Sequence, residues 1–154
     1  MDEGDLFVDI GANVGTYSVF AAANKLEVIA IEPESSNYSA LNRNIKINDF
    51  DRQITAYCLG MSDKTGPEKL YIHNEGVGLS CHNVGEDLTE TGQPSTYQSR
   101  KQGIMSYKLD DLLASLGHPA PAHIKIDVDE KSGIRQVHNF QVTLPKFQNR
   151  VHFS

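Results

Sequence analysis

The chain has 154 residues, of which 39% are hydrophobic and 22% are charged, and this composition is typical of one soluble globular domain. Its formal net charge of −6 argues against nucleic acid or an anionic membrane as the main partner, because both attract basic surfaces. The acidic first five residues do not have the form of a signal peptide, and no apolar stretch approaches a membrane span. These features predict a cytoplasmic protein.

The first predicted unit is a strand over residues 5–10, a glycine turn, and a helix over residues 15–25. The apolar run that starts at Leu6 is interrupted only by Asp9, and glycines follow at positions 11 and 15. Glycine adopts backbone dihedrals that other residues avoid and leaves space where a ligand must approach closely. A strand, a glycine turn and a helix in this order are typical of loops that bind nucleotide-like cofactors.

The second predicted strand, residues 27–31, is nearly all apolar, as expected for a strand covered on both faces of a parallel sheet. It ends at Glu32 and Pro33, and Ser35 or Ser36 is predicted to cap the helix that follows. The alternation of strands and helices over the first fifty residues predicts an α/β fold with a mostly parallel sheet flanked by helices.

The middle of the chain changes character after a third strand at residues 54–59, in which Cys58 is predicted to be a buried thiol. Residues 69–73 alternate with period two and follow without a helix, which predicts an antiparallel hairpin over one edge of the sheet. The polar residues 74–103 are predicted to form a functional lid or a disordered loop.

The last readable elements are a short strand at residues 104–108, a helix at residues 109–116 closed by Gly117, and a strand at residues 123–129. Beyond Glu130 the hydrophobic residues hold no long period. The sequence therefore predicts a domain over residues 1–130 and a tail, residues 131–154, that belongs to the same domain and is truncated or diverged.

Three cofactor classes compete for the glycine turn. A dinucleotide fingerprint requires a middle glycine where this chain has Asn13, and a phosphate-binding P-loop requires a lysine that is absent after Gly15. S-adenosylmethionine carries no phosphate, and its ribose hydroxyls need a carboxylate at the end of the second strand, where Glu32 stands. Asp9 is a second carboxylate beside the turn. The residue types therefore favour S-adenosylmethionine.

Six short motifs, in order along residues 4–130, resemble the FkbM family of S-adenosylmethionine-dependent methyltransferases. They are Asp-Ile-Gly-Ala-Asn-Val-Gly-Thr-Tyr-Ser from Asp9, Ile-Glu-Pro-Glu from Ile31, Leu-Asn-Arg-Asn-Ile from Leu41, Ser-Asp-Lys-Thr-Gly from Ser62, Leu-Asp-Asp-Leu from Leu109 and Ile-Lys-Ile-Asp-Val-Asp from Ile124. The resemblance implies a Rossmann-like class I methyltransferase fold. It also implies methyl transfer to a hydroxyl of a small molecule or glycan.

The resemblance implies roles for individual residues. The methionine end of the cofactor would lie against the turn, the ribose against the end of the second strand, and the adenine near residues 60–63. The implied cofactor-binding residues are Asp9, Gly11, Ala12, Asn13, Gly15, Glu32, Pro33, Gly60, Met61, Ser62 and Asp63.

Asp127 and Asp129 stand at the mouth of the last strand and are the candidates for the general base that a hydroxyl acceptor requires. The alternative is that they hydrogen-bond nearby amides or the amine of the cofactor. An Asp-x-Asp pair can also hold a divalent cation, but the sequence offers no third ligand, so no metal is predicted.

The segment after Asp129 departs from the family, because Glu130 to Gly133 replaces the usual glycine and helix. A catalytically incomplete S-adenosylmethionine-binding or interaction module is therefore an alternative, since an open sheet edge can recruit another chain. Methyl transfer to nitrogen is a weaker alternative. The sequence leaves the acceptor and the oligomeric state undetermined.

Overall fold

A computed structural model describes residues 2–72, 82–84, 99–118 and 120–127. Eleven elements follow one another in these ranges: β1 (Leu6–Ile10), α1 (Thr16–Ala23), β2 (Glu27–Ile31), α2 (Ser35–Ile47), β3 (Ile54–Tyr57), β4 (Gly60–Met61), β5 (Gly66–Ile72), β6 (His82–Val84), β7 (Arg100–Tyr107), α3 (Leu109–Leu116) and β8 (His123–Ile126).

The first sheet contains four parallel strands in the order β3-β2-β1-β8. Strand β1 lies in the centre, and Asp9 pairs in register with Ala30 of β2 on one side and Lys125 of β8 on the other. Because all four strands run the same way, their carboxyl ends meet at one edge of the sheet. The turns that follow β1, β2 and β8 therefore lie side by side.

Helices cover both faces of this sheet. Buried side chains of α1 and α2 pack on one face, and those of α3 pack on the other. The first core includes Ala21, Ala22, Leu41, Ile45, Val28 and Ala30, and the second includes Val8, Ile10, Ile29, Ile31, Leu109 and Leu112. The nearly continuous apolar character of β2 follows from this burial on both faces. The predicted α/β fold is confirmed.

The second sheet has the strand order β4-β7-β5-β6, with β5 antiparallel to both β6 and β7. The predicted antiparallel pairing is confirmed, but its predicted place over an edge of the main sheet is wrong, because these strands form a sheet of their own. The segment predicted as a loop also contains β6 and the start of β7 at Arg100. Among the side chains that the structure describes, the apolar cluster of this sheet contains Leu70, Ile72 and Ile104, and so small a cluster gives a weak signal in the sequence.

Two local predictions need correction. Glu34, and not Ser35 or Ser36, caps α2, because its side chain accepts a hydrogen bond from the Asn37 amide at 2.8 Å. Cys58 is exposed and not buried, because β3 ends one residue earlier at Tyr57.

The predictions for the lid or disordered loop and for the C-terminal tail fall largely outside the described residues. Residues 131–154 and the expected truncation or divergence of the tail lie there. Within the described ranges, no helix combines the length and the apolar character that crossing a membrane requires.

Candidate functional site

The glycine turn, residues 11–15, leaves β1 at the carboxyl edge of the first sheet. Gly11, Asn13 and Gly15 all have positive φ, at 72°, 53° and 91°. The amides of Gly11 and Ala12 both donate to the carbonyl oxygen of Ile31 at 3.0 Å, so the turn is fixed to the end of β2. Helix α1 begins immediately after the turn, at Thr16.

Neither glycine of the turn has room for a side chain. A Cβ atom at Gly11 would lie 2.2 Å from the backbone oxygen of Asp127, and one at Gly15 would lie 2.4 Å from Cδ1 of Leu41. The turn is thus packed against the end of β8 and against α2. The backbone contact makes glycine necessary at position 11, whereas at position 15 the positive φ of 91° favours glycine and the Leu41 side chain would have to shift.

Asp9 is completely buried just before the turn, on the face of the sheet that α1 covers. The Ser18 hydroxyl donates to its Oδ2 at 2.6 Å, and the Lys125 ammonium lies 3.1 Å from its Oδ1. Lys125 also donates to the Gly11 carbonyl at 3.1 Å and lies 3.3 Å from Oδ2 of Asp127. The charge of Asp9 is therefore balanced inside the protein.

Asp127 is the sequence-predicted catalytic residue that the structure describes. It immediately follows β8, its amide donates to the Ile10 carbonyl at 3.0 Å, and about half of its side chain is exposed. Lys125 thus brings Gly11, Asp9 and Asp127 together at the carboxyl edge of the first sheet. Asp129 lies outside the described residues.

Glu32 is buried at the end of β2, where its two carboxylate oxygens fix two loops. Oε2 accepts from the Asn13 amide at 2.8 Å, and Oε1 accepts from the Glu34 amide at 2.9 Å. Burial raises the pKa of the Glu32 carboxyl above its ordinary value of 4.5, although both amide hydrogen bonds act in the opposite direction. The nearby Glu34 carboxylate raises the pKa of Glu32 further.

The raised pKa of Glu32 predicts a pH dependence of stability. Since this pKa is higher in the folded protein than in the unfolded chain, its contribution is fully present below about pH 4.5 and is lost as pH rises through the folded value. We expect the free energy of unfolding of the wild type, relative to Glu32→Gln, to fall as pH rises above about 4.5. Urea denaturation at several pH values measures this difference, and a difference that grows with pH would contradict the prediction.

A polar clamp joins the loop after β2 to strand β7 of the second sheet. Gln102 donates to the Pro33 carbonyl at 2.6 Å and accepts from the Ser35 amide at 3.1 Å. Arg100 donates to Oε1 of the buried Glu34 at 3.0 Å. Strand β7 of the second sheet therefore fixes residues 33–35, next to Glu32, the residue predicted to bind the ribose.

The segment predicted to lie near the adenine, residues 60–63, begins in β4 and runs along β7. The Ser62 amide donates to the Tyr107 carbonyl at 3.0 Å, Gly60 and Ser62 are buried, and Asp63 is exposed. The preceding Cys58 thiol lies 3.7 Å from the Pro33 carbonyl. This contact brings the start of the segment to the end of β2.

Five residues of the site were not predicted from the sequence: Lys125, Ser18, Glu34, Arg100 and Gln102. For Lys125 a signal exists, because a lysine between two isoleucines in a strand of a covered sheet is an expected buried charge that needs a partner. Among the residues that the structure describes, no group of His, Cys, Asp and Glu side chains could hold a metal ion.

Comparison with known proteins identifies one family. The family model described as "Methyltransferase FkbM domain" matches residues 9–131. This range starts at Asp9 within β1, includes all the later strands of both sheets, and ends beyond Asp127. A comparison with curated proteins gives no match.

Two solved structures are similar to parts of the chain, and both come from Pyrococcus horikoshii. One is PH0793, described as a transferase, with 32% identity over 38% of this chain and 23% of that chain and a TM-score of 0.37. The other is TYW2 in complex with MeSAdo, with 33% identity over 37% of this chain and 22% of that chain and a TM-score of 0.36. The chain therefore spans less than a quarter of the length of either protein.

Proposed function

Because the chain belongs to the FkbM methyltransferase family, we propose that it transfers a methyl group from S-adenosylmethionine to a hydroxyl of a small molecule or glycan. The observation that carries this proposal is the arrangement at the carboxyl edge of the first sheet. There the glycine turn, the buried Glu32 and the half-exposed Asp127 come from three different strand ends and lie around one edge. Open α/β sheets bind ligands at this edge.

The residues present fit S-adenosylmethionine with one reassignment. Glu32 accepts hydrogen bonds from two loop amides and from the Asn37 side chain, and a carboxylate offers about four acceptor sites, so capacity remains for a ribose hydroxyl. Asp9 is fully buried and paired. We therefore assign to Asp9 a structural role, in which it pairs with the Lys125 ammonium that contacts the glycine turn. We assign the binding of the methionine end of the cofactor to the turn itself, from Gly11 to Gly15.

Asp127 is the residue that we propose as general base. When bound, S-adenosylmethionine supplies a methyl group that its sulfonium already activates for displacement. An attacking hydroxyl must lose its proton in or before the transition state, and the exposed Asp127 carboxylate at the mouth of β8 can accept it. Lys125, 3.3 Å from Oδ2, limits the directions that this carboxylate can face.

Titration calorimetry with S-adenosylmethionine and S-adenosylhomocysteine tests the cofactor assignment. We expect both to bind the wild type, and Asp63→Ala to weaken binding if residues 60–63 contact the adenine. Asp51→Ala, at an exposed acid in the turn before β3, is the matched control. Absence of binding by the wild type would refute the proposed function.

Asp127→Asn tests the assignment of the base. We expect S-adenosylmethionine binding to persist while methyl transfer to hydroxyl acceptors falls by about 100-fold or more, the usual contribution of a general base. The assay follows a labelled methyl group from S-adenosylmethionine into a panel of sugars and small alcohols. Full transfer by the variant would show that Asp127 is not the base.

The same panel distinguishes the alternatives. Cofactor binding by the wild type without turnover on any acceptor would favour a catalytically incomplete binding module. Turnover on amine acceptors alone would favour methyl transfer to nitrogen.

A further inference from the structure

Lys125 is a nearly buried lysine whose ammonium faces three oxygen acceptors. They are Oδ1 of Asp9 at 3.1 Å, the Gly11 carbonyl at 3.1 Å and Oδ2 of Asp127 at 3.3 Å, and we refer to them as the acceptor cluster. Only 7% of the residue is exposed. The ammonium donates a hydrogen bond to the Gly11 carbonyl and makes ion-pair contacts with the two carboxylates.

The acceptor cluster connects three parts of the site that are far apart in sequence. Asp9 belongs to β1, the Gly11 carbonyl belongs to the glycine turn, and Asp127 follows β8. Lys125 stands beside Asp9 in the parallel register, so its side chain starts on the same face of the sheet and extends toward the carboxyl edge. The Tyr17 ring lies over the ammonium, with its centroid 4.9 Å from Nζ.

Neutralising Asp9 does not account for all of these contacts. A lysine needed only to balance a buried carboxylate would require one partner, whereas this ammonium also donates to a neutral carbonyl in the glycine turn. The backbone at Gly11 and the backbone oxygen of Asp127 are already in close contact, as the absence of space for a Cβ shows. Lys125 adds a second connection between these two segments, through the Gly11 carbonyl and the Asp127 side chain.

We propose that Lys125 is a positioning residue that fixes the Gly11 turn against the end of β8 and so sets the geometry in which the methionine end of the cofactor binds. This inference rests on the proposed function. A second consequence follows from the same contacts. The chain itself supplies the ammonium for the acceptor cluster, so the amine of the cofactor is held outside it.

A double-mutant cycle separates positioning from charge neutralisation. The four proteins are the wild type, Asp9→Asn, Lys125→Met and the double variant, and the measurements are thermal unfolding and calorimetric affinity for S-adenosylmethionine. In the Asp9→Asn background no buried carboxylate at position 9 remains to be neutralised, so this background also protects against unfolding of the single Lys125 variant. Lys101→Met, at an exposed lysine near the Tyr71 ring, is the matched control.

We expect Lys125→Met to weaken S-adenosylmethionine binding about tenfold when it is introduced into the Asp9→Asn background, since the Gly11 carbonyl loses its donor and Asp127 loses its ion-pair partner. A change of less than threefold in that background, with the wild type binding normally, would overturn the positioning role and leave the proposed function intact. Failure of the wild type to bind would instead refute the proposed function. Lys101→Met is expected to bind as the wild type does.

Discussion

Replacement of Gly11 by alanine is expected to destabilise the protein by about 3 kcal/mol or more, because two separate costs combine at this position. The φ angle of 72° is disfavoured for any residue with a Cβ atom. In addition, that Cβ atom would lie 2.2 Å from the backbone oxygen of Asp127, and a backbone atom cannot move aside as a side-chain end can. Relief of the contact requires separation of the turn from the end of β8.

Gly117→Ala carries the first of these costs, the disfavoured φ angle, without the second, the close contact of the Cβ atom. Gly117 ends α3 with a φ of 70°, nearly the same as Gly11, but nothing lies within 4 Å of a Cβ atom built there. We expect Gly117→Ala to cost only about 1 kcal/mol, the conformational penalty alone. Urea denaturation of both variants gives the comparison, and equal destabilisation would show that the close packing of Gly11 against Asp127 is unimportant.

The affinity for S-adenosylmethionine is a second measurement that tests the Gly11→Ala variant. If the methionine end binds against the turn, Gly11→Ala should lose S-adenosylmethionine binding even at low temperature, where the variant remains folded. The Gly117→Ala variant, changed at the C-terminal end of α3, should bind S-adenosylmethionine as the wild type does.

The second large effect is expected at Asp9. Asp9→Asn should destabilise the fold by about 3 kcal/mol, because it removes one carboxylate from a buried ion pair and leaves an amide in its place. Ser18 can still donate to the remaining carbonyl oxygen, and Lys125 keeps Asp127 and the Gly11 carbonyl, so the loss stays at the lower end of the range for buried pairs. Thermal and urea unfolding measure it.

Asp51→Asn makes the same chemical change at an exposed turn and should alter stability by less than about 0.5 kcal/mol. A stability loss at Asp9 no larger than at Asp51 would mean that the buried ion pair contributes nothing to the fold. The comparison also tests whether the fold requires an aspartate at position 9. A large loss indicates that Asp9 is required for the fold as well as for any contact with a cofactor.

Local sequence features predicted much of the architecture. The bounds of β2 and α3 agree with the prediction, because a continuous apolar run bounded by charges, and an apolar helical face closed by Gly117, are signals contained within single segments. The second sheet was misjudged, because its strands are polar on one face and pair over long separations. The same limitation explains Cys58, whose exposure depends on a strand that ends at Tyr57.

The sequence by itself determined the family, the glycine turn and the class of cofactor to propose, because these depend on short motifs whose order along the chain is sufficient evidence. Only the tertiary structure decided which charges are paired. Lys125 reaches the Gly11 carbonyl across 114 residues, and Arg100 reaches Glu34 across 66. The register of parallel strands and the packing of a second sheet create these pairs, and no local pattern encodes the partner of a buried charge.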